Sequence, residues 1–200
     1  MQKLIVKTAL ITFASAIGAL ILFALVCMLF FPSAVSDAAY NMGMDNISVT
    51  FAERAYKNGG DEKSLKTLVD RAAQAENYTA VVTYAQIFVD SDYFAQAVES
   101  EDSNIGQTSG SYYGYITGHL AVAYYNMGDK DAALQTIAEH SGEGKYVRYN
   151  AAEYLILEVI SKNDKDFATV LMGELLSLEL EGDEATLLAE DISMLQTFLN

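Results

Sequence analysis

Leu120-Ala121-Val122-Ala123-Tyr124-Tyr125-Asn126-Met127-Gly128-Asp129-Lys130-Asp131-Ala132-Ala133-Leu134 is the stretch from which the fold of this 200-residue chain can be read. A run rich in Ala, Leu and Tyr stops at Asn126-Met127-Gly128, where glycine takes the left-handed backbone that closes a helix. Asp129 follows, and its short carboxylate can accept the backbone N–H bonds left open at the start of a next helix. Leu134, Ile137 and Ala138 then recur at spacings of three and four, which is one face of a helix. The segment reads as helix, turn, helix.

The same punctuation appears on both sides. Asn58-Gly59-Gly60-Asp61 repeats the Gly-then-Asp turn, Lys162-Asn163-Asp164 uses Asn in place of Gly, and Asp90-Ser91-Asp92 is a poorer fourth turn. Between the turns lie helical stripes: Leu65, Leu68, Val69, Ala72 and Ala73; Leu155, Val159 and Ile160; and Leu187, Leu188, Ile192, Leu195 and Leu199. No proline follows Pro32, and few stretches alternate with the period of two that a strand needs. Ala55-Tyr56-Lys57-Asn58-Gly59-Gly60-Asp61 stands 68 residues before Ala123-Tyr124-Tyr125-Asn126-Met127-Gly128-Asp129 and matches it at five of seven positions. Asp129-Lys130-Asp131-Ala132-Ala133 returns 35 residues later as Asp164-Lys165-Asp166-Phe167-Ala168. A unit between the first two, around Tyr78 to Ser100, fits the count with a drifted sequence. The expected fold is all-α, built of two-helix units.

On these residues the chain resembles the tetratricopeptide (TPR) family, whose helix–turn–helix unit has a period of about 34 residues. Ala121, Tyr124 and Ala133 stand where that family places a small residue, a tyrosine and a second small residue. Departures are visible too. His140 stands where a final small residue belongs and Thr117 where the opening tryptophan belongs. In the earlier unit Tyr56 and Ala72 match, whereas Glu53 and Leu65 replace small residues, and the closing proline is missing throughout. The resemblance covers roughly residues 47 to 180, and a generic array of helical hairpins is the alternative. It implies an α-solenoid over residues 47–200, with a final helix near Asp183 to Leu199 as a cap, its polar back carrying Glu184, Glu190 and Asp191. It also implies a groove lined by the first helix of each pair: Arg54, Lys57 and Asn58 in one unit, Tyr115, Val122, Tyr125 and Asn126 in another. Aromatic rings with Asn and cations suit an extended peptide. In this reading Tyr124 packs in the core and Tyr125 faces the groove; the alternative is that Tyr125 packs on the next hairpin.

The N-terminal region differs in kind. Thr8 to Phe31 holds no charge, and Thr8, Thr12 and Ser15 are its only hydroxyl residues. About 20 apolar residues suffice to cross a bilayer core as a helix. The run exceeds the apolar core of a signal peptide, about 7–15 residues, which favours an uncleaved anchor over a cleaved signal. Ala34-Val35-Ser36 is a small-x-small sequence that keeps the second reading open. Cys27 lies within the apolar run and lacks the polar sequence that follows a lipidated cysteine. Ala14 and Gly18 form a small-xxx-small pair, which leaves an oligomer open. Lys3 and Lys7 precede the run and place residues 1–7 in the cytoplasm and the C-terminal domain outside it, in the periplasm or at the cell exterior. Pro32 ends the helix, and residues 32–46 read as a short linker.

Charge narrows the function classes. The chain has 27 acidic and 12 basic residues, a formal charge of −15. All the acids follow residue 31, where only 10 of the bases lie, so that part carries −17. Such a surface does not suit nucleic acid, whose phosphates need Lys and Arg. One cysteine excludes an internal disulfide. His119 and His140 are 21 residues apart with no His-Glu-x-x-His pattern, so one is expected in helix packing and one near a helix end. Asp164-Lys165-Asp166 lacks the spacing of a calcium loop, and no phosphate loop or nucleophile elbow occurs. No cofactor, metal or catalytic residue is therefore called for. Glu101 to Ser111 reads as a long polar loop, either a binding loop or a surface insertion. Asn46-Ile47-Ser48 and Asn77-Tyr78-Thr79 fit the glycosylation pattern, at about the frequency chance gives. The expected function is not enzymatic: a membrane-anchored scaffold binding a protein or peptide. The alternatives are an envelope hydrolase using paired carboxylates and an acidic structural subunit of a membrane complex.

Overall fold

The structure is a computed structural model and describes residues 2–92, 103–140 and 151–200; side chains are described from Thr12 onward, apart from 103–113. Ten helices occur among the described residues, and no strand: α1 (Gln2–Phe30), α2 (Pro32–Asn41), α3 (Asp45–Gly59), α4 (Glu62–Gln74), α5 (Tyr78–Val89), α6 (Ser103–Asn126), α7 (Lys130–His140), α8 (Ala151–Ser161), α9 (Lys165–Ser177) and α10 (Gly182–Leu199). The chain divides into two compact units, Met1–Ser64 and Leu65–Asn200.

In the first unit, Thr12–Phe30 of α1 has a mean hydropathy of 2.6 and buries none of its surface. It is long and apolar enough to cross a membrane, a property that signal sequences share. The break after Phe30 is chemical. Pro32 has no N–H to donate and takes the first position of α2, where that N–H has no helical partner anyway. The stretch expected as a linker therefore holds a ten-residue helix. It pairs with α3 through small residues, with Ser36 and Ala39 buried on α2 and Ser48, Val49 and Ala52 buried on α3. The Ser36 hydroxyl donates to the Ser48 carbonyl at 2.9 Å and the Ser48 hydroxyl to the Ser36 carbonyl at 3.0 Å. This reciprocal bond satisfies both hydroxyls in a dry contact.

The expected turns are present with their expected chemistry. Gly60 adopts φ +59° at the end of α3, and the Asp61 carboxylate accepts the Ser64 N–H at 2.8 Å. Gly128 adopts φ +87°, and Asp129 accepts from the Ala132 N–H at 3.1 Å. Asn163 adopts φ +54°, and Asp164 accepts from the Phe167 N–H at 3.1 Å. A further left-handed residue, Glu76 at φ +51°, precedes Asn77, which caps α5 through the Ala80 N–H.

One expectation fails. Residues Ser103 to Ser111 are not a loop but the first half of α6, a 24-residue helix. Nothing in Ser103–Ser111 is a proline, so its Ser, Gly and Asn weaken a helix without breaking it. Glu101 and Asp102, and residues 93–100 of the drifted unit, lie outside the described residues.

In the second unit α6 contacts α5, α7 and α8; α8 in turn contacts α9 and α10; and α9 contacts α7 and α10. Leu68, Ile116, Ile137, Leu155, Ile156, Leu171, Leu175 and Leu195 are all fully buried. Each such side chain is worth about 1.5–3 kcal/mol of burial. The approach of α6 to α8 depends on Gly118: a Cβ there would stand 2.5 Å from Tyr154 Cδ2 and 3.1 Å from the Ala151 carbonyl oxygen.

Candidate functional site

The residues expected to line a groove meet different fates. Arg54, Lys57 and Asn58 are exposed on α3, with Lys57 paired to Glu53 at 2.6 Å one turn earlier. Tyr115, Val122 and Asn126 are half-buried on α6. Tyr125 is only 6% exposed, and this corrects the expectation that it faces a groove. Its ring stacks on Phe167 of α9 at 5.0 Å, and its hydroxyl donates to Asp164 at 3.0 Å. Burial, then the Asp164 carboxylate, push the Tyr125 phenol up to about 12. Tyr124 is the less buried of the two and donates to Gln86 of α5 at 3.0 Å. The two tyrosines point about 100° apart around α6, toward different neighbours.

Around Tyr125 a polar lock joins consecutive turns. Lys130 pairs with Asp164 at 2.6 Å, and that contact, followed by the Phe167 N–H, holds the Asp164 carboxyl below its ordinary range. The Asn126 amide donates to Glu158 at 2.9 Å, and Lys162 donates to the Asn126 side-chain oxygen while pairing with Glu158 at 3.3 Å. Lys165, 35 residues after Lys130, reaches the Leu199 carbonyl at 3.4 Å and lies 5.6 Å from the Phe198 ring centre. These contacts use up Asn126, and its chemistry is that of a joint between units.

The histidines follow expectation. His119 sits between Tyr115 and Tyr154, with ring centres 4.4 and 5.1 Å away. Burial pushes its pKa down, and Asp70, which accepts the Tyr115 hydroxyl bond, opposes that fall. His140 ends α7. Asn77, in the second glycosylation match, spends its side chain as a helix cap, whereas Asn46 is exposed. Among the described residues no group of three or more His, Cys, Asp or Glu is placed to hold a metal ion.

The concavity that is present lies on the last helix. A groove of about 750 Å³ is lined by Ile160 of α8 and by Met194, Phe198, Ala189, Thr186, Ser193, Thr197 and Glu190 of α10. Its floor is apolar, its edge is hydroxyl-rich, and it has one carboxylate, Glu190. The groove was not foreseen, because Thr186, Ser193 and Thr197 read as the solvated back of a cap. Their helical spacing, with Ala189 and Met194 between them, was the signal available.

The opposite side of α10 brings a second correction. Asp191, expected on the polar back, is only 6% exposed and lies on the packing face with Leu188 and Leu195. Burial, then Glu153 of α8 and Glu190, raise its carboxyl to about 7.

No family model matches the chain, and no curated protein or solved structure matches it.

Proposed function

We propose that the chain is a membrane-anchored scaffold whose TPR-like array of helical hairpins binds a protein or peptide partner outside the cytoplasm. One observation carries the array: contacts between consecutive units recur at nearly constant sequence separation. Tyr124–Gln86, Tyr125–Asp164, Lys130–Asp164, Asn126–Glu158 and Lys165–Leu199 lie 38, 39, 34, 32 and 34 residues apart. A repeat protein produces this pattern because each unit touches only its neighbours. α10 then stands as the cap, and the groove along it is the place for a partner segment, with Ile160, Met194 and Phe198 as the apolar floor and Glu190 as the charged contact. Arg54, Lys57 and Asn58 remain candidates on the first unit, and Tyr115 and Val122 on the second. α1 supplies the anchor, and Lys3 and Lys7 set its orientation.

A photo-crosslinking amino acid placed at Ser193 or Thr186 of the full chain in intact cells tests the reading, with exposed Thr169 on α9 as the control position. A discrete adduct from the groove positions and none from Thr169 supports it. No adduct, or the same adducts from all three positions, refutes it. A reporter active only outside the cytoplasm, fused after Asn200, tests the orientation; an inactive fusion reverses it.

A further inference from the structure

We infer that α10 is a pH-sensitive latch: its docking on α8 and α9 is tight while the Asp191 carboxyl keeps its proton and loosens when that proton leaves. The geometry is specific. Asp191 lies on the packing face of α10, between the buried Leu188 and Leu195, at 6% exposure. A carboxylate in that position loses its water and gains nothing unless a cation or hydrogen-bond donor meets it.

The charged groups around Asp191 make matters worse for the anion. From α8, Glu153 faces it, and on α10 itself Glu190 adjoins it, both acidic. Glu184 shares its helical face two turns earlier. On α9 the charged residues are Lys165, Asp166 and Glu174, and none of them acts on Asp191. Lys165 is committed instead to the far end of α10, at the Leu199 carbonyl. No Lys, Arg or His pairs with Asp191 among the described residues. The protonated acid is thus the form that fits, and the shifted value of about 7 agrees with the burial and the flanking carboxylates.

An undocked α10 returns Asp191 to water, where its carboxyl titrates near 3.8. The sign follows. Docked α10 holds the proton better than undocked α10, so raising the pH between the two values favours undocking. From pH 5.5 to pH 8.5 the docking constant falls by about 30-fold on these values. The latch concerns the packing of α10 alone and does not depend on what occupies the groove.

Amide hydrogen exchange of the full chain in detergent micelles tests this, read as the protection of Leu187–Leu195 relative to Leu171–Leu175 and corrected for the intrinsic pH dependence. We expect protection of α10 to fall by about 30-fold between pH 5.5 and 8.5 in the wild type, and to stay level in Asp191→Asn. Should Asp191→Asn fold poorly, Asp191→Leu serves, and Glu153→Gln in the wild-type background should shift the midpoint downward. A wild-type ratio that is flat across this range, or that rises with pH, overturns the latch. So does the same pH dependence in the Asp191 variants.

Discussion

Substituting alanine for glycine in the middle of a helix normally stabilises it by about 1 kcal/mol, because glycine has more backbone freedom to lose. Two helical glycines of this protein should respond with opposite signs. At Gly173 in α9 an added Cβ meets nothing within 4 Å. Gly173→Ala should therefore raise stability by about 1 kcal/mol, or about 2–4 °C in Tm for a chain of this size. At Gly118 in α6 the added Cβ falls 2.5 Å from Tyr154 Cδ2, 3.0 Å from its Cγ and 3.1 Å from the Ala151 carbonyl oxygen. Ordinary carbon contacts lie at about 3.5–4.0 Å, so the ring must retreat by about 1 Å. Rotating the ring does not help with the Ala151 oxygen, which belongs to the α8 backbone. The helices must therefore part, and overpacking of that kind costs about 1–3 kcal/mol. Taking the upper part of that range, because backbone has to move, and subtracting the propensity gain leaves Gly118→Ala less stable by about 1–2 kcal/mol. Thermal melts of the full-length variants in one detergent, followed by far-UV circular dichroism, measure both. A Gly118→Ala melt at or above wild type would refute the close crossing of α6 and α8, and with it the side-by-side stacking of consecutive units. A loss in Gly173→Ala as large as in Gly118→Ala would refute the contrast in packing on which the comparison rests.

Tyr125→Phe should cost about 1 kcal/mol through the lost bond to Asp164; urea titration reads it, and an unchanged crosslink yield at Ser193 distinguishes a core tyrosine from a groove one. Ser36→Ala should destabilise the α2–α3 hairpin by about 1–2 kcal/mol, since it removes one donor of a reciprocal pair, and limited proteolysis between α2 and α3 should quicken; unchanged cleavage would deny the pairing. His119 opposes Asp191 in the pH profile. Its folded value lies below the ordinary 6.5, so the unfolded chain takes up the proton first and stability is lost as the pH falls below that value. His119→Gln should remove this acid loss, which paired denaturation curves at pH 7 and pH 5 detect as a smaller difference than in the wild type. Asp191 contributes in the other sense: the rise from 3.8 to about 7 corresponds to about 4 kcal/mol of stability at most, present below pH 3.8 and lost as the pH climbs toward 7. Deleting residues 2–31 should move the protein out of the carbonate-resistant membrane fraction, and its retention there would show that α1 is not what holds it.

Local chemistry was legible in the residues themselves. Gly60, Gly128 and Asn163 tolerate a left-handed backbone, and Asp61, Asp129 and Asp164 accept the N–H groups that begin the next helix; both are properties of one residue and its near neighbours. The apolar run of α1 is equally local, since length and hydropathy decide it without reference to any partner. Neighbour choice was not legible. Tyr124 and Tyr125 are chemically identical and adjacent, and α6 has neighbours on three sides, so a helical period alone cannot say which ring goes inward. That choice rests on where Phe167 and Asp164 of the following unit come to lie. Asp191 reads as solvated because carboxylates usually are, yet the angle at which α10 meets α8 and α9 carries it inward between Leu188 and Leu195. The groove over Ile160, Met194 and Phe198 exists for the same reason: it belongs to no single helix, and only the docking of α10 beside α8 creates it.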